Sequence, residues 1–98
     1  MFDIRQTDNF RRWLTKLRDN EARRRIAVRI SRLQAGNPGD VRPMGQGVSE
    51  LRIDYGPGYR VYLTQRGPVL IVLLCGGDKS TQADDIVKAK ALAEEWKE

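Results

Sequence analysis

Five side chains in the second half of the chain have the types and spacing to act on one acidic ligand: Glu50, Arg52, Arg60, Tyr62 and Lys79. Arginine suits a phosphate because its planar fork pairs two oxygens and stays protonated at any physiological pH. In RNA cleavage without a metal, the 2′-hydroxyl attacks its own phosphorus. The protein must position that geometry, help remove a proton, neutralise the transition state and see the leaving oxygen protonated. On that logic Arg52, Arg60 and Lys79 are charge stabilisers and Glu50 is the candidate base. Tyr62 would stack on a nucleobase or give up a proton. The chain has no histidine for these proton transfers.

Strands must present those groups. Leu51, Ile53 and Tyr55 alternate with Glu50, Arg52 and Asp54, and Tyr59, Val61 and Leu63 alternate with Arg60, Tyr62 and Thr64. This is the period-2 pattern of half-buried strands. If Gly56-Pro57-Gly58 closes a simple hairpin, Tyr55 faces Tyr59, Ile53 faces Val61 and Leu51 faces Leu63. On the other face the same register sets Asp54 against Arg60, Arg52 against Tyr62, and Glu50 against Thr64. Residues 69–75 are a near-continuous apolar run, suited to a central strand buried on both faces. Cys75 belongs to that run and reads as core. Residues 41–48 read as a loop or a ragged edge strand, and residues 2–6 as a short first strand.

Three helices complete the pattern. Thr7 or Asp8 caps the first, with Phe10, Trp13, Leu14 and Leu17 on its inner stripe. Asp19 or Asn20 caps the second, where Ala22, Ile26, Ile30 and Leu33 face the core and Gly36-Asn37-Pro38 ends the helix. Ser80 or Thr81 caps the third, lined by Ile86, Ala89, Ala93 and Trp96. The result is an α+β fold: an N-terminal helical hairpin on a small antiparallel sheet, then a C-terminal helix. Helices on one sheet face would leave Glu50, Arg52, Arg60 and Tyr62 on an open one. The same alternation also describes an ordinary solvated strand face with cross-strand pairs. Arg23, Arg24, Arg25, Arg29 and Arg32 crowd the outside of the second helix, as either a solvated face or an RNA-docking one. Gly76-Gly77-Asp78-Lys79 before a helix is a weak signal for a phosphate-binding turn.

Ninety-eight residues is the length of one domain, taken as 1–98. Residues 1–66 hold 14 basic and 7 acidic side chains, a net of +7, whereas residues 67–98 hold 4 basic and 6 acidic, a net of −2. A positive body points to a polyanionic partner. No apolar run approaches the roughly 18–20 residues of a membrane span, and an acid at position 3 spoils a signal peptide. The expected location is the cytoplasm, with no membrane association. One cysteine excludes an internal disulfide, and no metal site is expected.

The chain also resembles the RelE/ParE toxin superfamily, specifically its HigB-like, phage-Gp49-like addiction-module killer subgroup. The resemblance is carried by Phe10-Arg11-Arg12-Trp13-Leu14, by Glu50-Leu51-Arg52-Ile53-Asp54-Tyr55-Gly56-Pro57-Gly58-Tyr59-Arg60-Val61-Tyr62, and by Leu74-Cys75-Gly76-Gly77-Asp78-Lys79-Ser80-Thr81-Gln82. It implies a microbial-RNase-like fold and a type II toxin that needs no cofactor or metal. A cognate antitoxin, usually a helix-turn-helix protein encoded alongside, would neutralise it. Ribosome and mRNA would be its other partners, with cleavage of mRNA during translation. By resemblance Arg60 and Arg52 fall on basic strand positions of the family, and Lys79 lies near the arginine that follows the last strand. Relatives often have lysine where Glu50 stands. They commonly end on a catalytic tyrosine or histidine, whereas this chain continues past Lys79 with Ser80, Thr81, Gln82 and a helix. The same superfamily includes ParE-like gyrase poisons, which do no chemistry, so both activities remain open at this point.

Overall fold

The computed structural model describes residues 1–97. The elements run β1 (Asp3–Gln6), α1 (Asp8–Lys16), α2 (Asn20–Gln34), β2 (Val41–Gly45), β3 (Val48–Ile53), β4 (Tyr59–Arg66), β5 (Leu70–Gly77), a 3₁₀ turn (Lys79–Thr81) and α3 (Gln82–Glu95). The five strands form one sheet in the order β1-β5-β4-β3-β2, antiparallel except that β1 runs parallel to β5. The sheet is thus larger than the three-stranded meander the sequence suggests. Residues 41–48 supply an edge strand, broken by a register shift between Pro43 and Gly45.

The helix starts follow from capping. Thr7 Oγ1 accepts from the Phe10 N–H at 3.0 Å while its hydroxyl donates to the Leu74 carbonyl, fixing α1 to β5. Asp19 accepts from the N–H groups of Glu21 and Ala22 at 3.0 and 3.1 Å. Helix α2 closes through Ala35 to Gly36, whose φ of +94° is the left-handed conformation that favours glycine.

Two apolar cores lie on opposite sides of the sheet. Phe10, Ile26, Leu33, Leu51, Ile53, Val61, Leu63, Ile71 and Leu73 pack beneath α1 and α2. Val48, Tyr62, Val72, Leu74 and Cys75 pack beneath α3, against Ala89 and Ala93. The β4–β5 register shifts between Tyr62 and Leu63, so Leu74 and Cys75 both join the α3 side. The expectation of an open sheet face is therefore corrected: α3 covers much of it, because its small Ala89 and Ala93 allow close approach.

The hairpin register also differs from expectation. Leu51 pairs with Val61, Glu50 with Tyr62, Arg52 with Arg60 and Ile53 with Tyr59. The strands part at residue 54 rather than at 56, because Tyr55 is drawn away. Its hydroxyl donates to Asp19 at 3.0 Å and Arg25 lies 4.6 Å over its ring. The shift is two residues, so every side chain keeps its face.

Gly76 and Gly77, candidates for a phosphate turn, are strand residues in contact with both helical layers. A Cβ on Gly76 would stand 2.3 Å from Trp13 Cε3, and one on Gly77 would stand 1.8 Å from Asp85 Oδ2. We expect Gly76→Ala and Gly77→Ala each to destabilise the fold by about 1–3 kcal/mol through overpacking. Urea unfolding should show a lower midpoint for each variant, and an unchanged midpoint would remove this packing role.

Candidate functional site

The pairing of β3 with β4 places Glu50 directly opposite Tyr62, under α3. Glu50 is fully buried and its carboxylate is surrounded by donors. Arg52 Nε donates to Oε1 at 2.8 Å, while the Tyr62 hydroxyl and Gln82 Nε2 donate to Oε2 at 2.9 and 2.8 Å. Arg60 Nε stands 3.4 Å from Oε2, as an ion pair without a hydrogen bond. Burial by itself pushes the Glu50 carboxyl up. The bonds from Arg52, Gln82 and Tyr62, with the charge of Arg60, outweigh it and hold the group below its ordinary value of 4.5.

Three expectations change as a result. Glu50 does not stand free opposite Thr64 as a base; it is buried and ion-paired. Tyr62 is buried too, and burial together with the bond to Glu50 raises its phenol, so it holds its proton. Asp54 is not the partner of Arg60, which pairs with Glu50 instead. The physical cause is the same in each case: the two-residue shift and the α3 cover turn an expected open row into a buried carboxylate with cations at its rim.

Those cations meet in a cleft. Arg52, Arg60 and Lys79 line a cavity of about 260 Å³, with Asp40, Ile53, Asp54 and Gly58 forming the rest of its wall. Arg60 folds back so that Nη1 donates to the Gly58 carbonyl at 2.6 Å. Gly58 has φ +80°, and a Cβ there would crowd Arg60 Nη1 to 3.1 Å. The Lys79 N–H donates to the Pro57 carbonyl at 3.4 Å, bringing the 3₁₀ turn against the β3–β4 loop. Asp78 caps that turn by accepting from the Ser80 N–H at 2.8 Å. Among the described residues, Arg52 Nη1 and Nη2, Arg60 Nη2 and Lys79 Nζ make no hydrogen bond to protein, although both guanidinia are ion-paired to Glu50.

The five arginines of α2 separate into different roles. Arg24 Nη2 and Arg25 Nε bind Glu21 Oε2 at 2.6 and 2.9 Å, and these bonds hold the Glu21 carboxyl down to about 2. Arg29 is half-buried and spends its fork on backbone: Nη1 donates to the Arg52 carbonyl, and Nη2 to those of Pro38 and Asp40 at 2.9 and 3.3 Å. It is a staple between α2, the end of β3 and the loop carrying Asp40. Arg24, Arg25, Arg29 and Arg32 line a second groove of about 330 Å³ with Val28, and Arg23 is exposed elsewhere on the helix. The two clefts share Ile53 and Asp54.

Sequence reasoning passed over Gln82, Arg29 as a staple and the rim carboxylate Asp40, and read Asp54 only as a partner for Arg60. Gln82 has no signal beyond its place at the start of α3, and only the tertiary fold brings it to Glu50. Cys75 is buried, and burial followed by the charge of Asp85 pushes its thiol up to about 12, which removes it from thiolate chemistry.

The depressed Glu50 group makes stability depend on pH. A lowered folded-state pKa contributes stability that is present above the unfolded value, near 4.5, and is lost as pH falls through the lower folded value. Glu50→Gln would leave Arg52 and Arg60 without their counter-charge and should cost about 3–5 kcal/mol at neutral pH. Chemical denaturation from pH 7 to pH 3 should show a weaker variant with a flatter acid limb than the parent. Parallel acid limbs would deny Glu50 this titration.

Residues 12–96 match the family described as phage derived protein Gp49-like (DUF891). A protein of Haemophilus influenzae, described as uncharacterized, is 54% identical over 92 residues, spanning 94% of this chain and 93% of the relative. With most of its length matched in both comparisons, the chain belongs to the phage-derived Gp49-like family, a toxin family of the RelE/addiction-module type.

Proposed function

We propose that the protein is the toxin of a type II toxin–antitoxin pair and acts as an endoribonuclease on mRNA at the ribosome. The observation that carries this reading is the convergence of Arg52, Arg60 and Lys79 in one cleft, with guanidinium donors unspent and a buried carboxylate fixing both arginines. A phosphodiester seated there meets bidentate donors from Arg52 and a further donor from Arg60. Lys79 adds a mobile charge from the 3₁₀ turn. Removing the 2′-proton starts attack on phosphorus, and charge building on the equatorial oxygens is met by groups already oriented. Glu50 and Tyr62 act as positioning residues beneath the cleft. Arg32 and the outer α2 arginines extend the positive surface toward flanking RNA or the ribosome. The antitoxin, expected to be a helix-turn-helix protein, would silence the toxin by covering or distorting this surface.

A gyrase-directed activity without chemistry is the second reading, and one observation favours it. Tyr62, the phenol expected to donate a proton, has its hydroxyl engaged by Glu50 and lies out of solvent. In that case the cleft is a binding surface alone.

Brief expression without the antitoxin, followed by mapping of mRNA 5′ ends, separates the two. The nuclease reading expects cuts at fixed positions within translated codons. It expects none in untranslated messages or when the antitoxin is co-expressed. Intact mRNA with DNA-damage signalling would favour the gyrase reading. Arg60→Ala, purified and shown to be folded, should lower cleavage by about 10²–10³-fold, the loss typical of one charge-stabilising donor. Full activity in that variant would overturn the assignment of the cleft.

A further inference from the structure

With Glu50 buried and paired, the cleft lacks the base expected from the sequence. We propose that Asp54 is the catalytic general base that takes the 2′-hydroxyl proton, an inference that rests on the nuclease reading above. Asp54 is exposed at the end of β3 and lines the same cavity as Arg52, Arg60 and Lys79. It also lines the adjoining α2 groove, so it stands where a strand passing between the two would cross.

The carboxylate is uncommitted. Asp8 pairs with Arg11, Asp19 caps α2, Glu21 holds Arg24 and Arg25, Asp40 lies 3.7 Å from Arg42, and Glu50 is ion-paired. Among the described residues, Asp54 has neither an ion pair nor a hydrogen bond from its side chain, although arginines line both sides of it. It makes no turn bond to the β3–β4 loop either, so turn chemistry does not explain it. Of the two carboxylates in the cleft wall, Asp40 has its arginine and Asp54 does not. An unpaired carboxylate beside a polyanion weakens binding, which sets it apart from a group selected for affinity.

The step balances without a metal or redox partner. Asp54 accepts the 2′-proton as the 2′-oxygen forms its bond to phosphorus. The bond from phosphorus to the 5′-oxygen breaks, and that oxygen takes a proton from water. The products are a 2′,3′-cyclic phosphate and a 5′-hydroxyl, and Asp54 returns its proton to solvent.

The test compares the parent, Asp54→Asn, Asp54→Glu and Asp54→Gly under single-turnover conditions on programmed ribosomes, beside binding to an mRNA with 2′-deoxy substitution at the cut site. Asp54→Asn should slow cleavage about 10²–10⁴-fold, the range for loss of a general base, with binding equal to or tighter than the parent. Asp54→Glu should recover part of the rate. Formate added to Asp54→Gly should restore cleavage in proportion to its concentration, which a structural role would not produce. Cleavage by Asp54→Asn within about threefold of the parent, or loss of rate that tracks loss of binding, would overturn the base assignment while leaving the nuclease intact. A parent that cuts nothing would overturn the nuclease reading itself and this inference with it.

Discussion

The carboxylate of Glu50 sits in the sheet interior, where an ionised group costs several kcal/mol unless its charge is matched and its lone pairs are filled. Arg52, Arg60, Tyr62 and Gln82 meet that demand from three elements, β3, β4 and α3. Each donor is thereby held in one orientation. The two arginines cannot swing into solvent without leaving a buried charge exposed to an apolar surround, so their remaining N–H groups project into the cleft as a fixed pair. Removing Glu50 would therefore disturb the cleft and the packing of α3 together.

The same economy appears on the other side of the sheet. Arg29 gives its fork to three carbonyls, tying the end of β3 to the loop that carries Asp40. Burial lowers its guanidinium from the ordinary arginine value, while the nearby Asp40 opposes that shift. Tyr55, held by Asp19 and stacked under Arg25, sets where the β3–β4 ladder ends. Helix α2 thus holds the Asp40 loop and the end of β3, one side of the cleft, through the bonds of Arg29 to backbone carbonyls.

Close approach of the two helical layers to β5 depends on the consecutive glycines. Gly76 admits the Trp13 ring on one face and Gly77 admits Asp85 on the other. Asp85 in turn accepts from the Thr81 hydroxyl at the start of α3, which anchors the helix that brings Gln82 over Glu50. Glycines that resemble a phosphate loop in one dimension are contact points in three. The cations that line the cleft lie instead on β3, on β4 and on Lys79 beyond β5.

Much of the fold was legible in the residues. Helix caps within the pairs Thr7/Asp8 and Asp19/Asn20, the stop at Gly36, the buried run of β5 and the apolar face of β3 and β4 all follow from local patterns of period and capping, which act over a few residues. That Arg52 and Arg60 share a face was legible as well, because strand alternation decides which side chains point the same way. Lys79, by contrast, reaches them from the 3₁₀ turn after β5. The tertiary structure alone decided the rest. Register depended on Tyr55 reaching Asp19, 36 positions away in sequence, and burial of Glu50 and Tyr62 depended on where α3 came to lie. A charged residue on an alternating strand reads as exposed until the partners that neutralise it arrive from distant segments. For that reason the sequence located the cationic cleft, and only the fold showed which carboxylate supports it from beneath and which stands free within it.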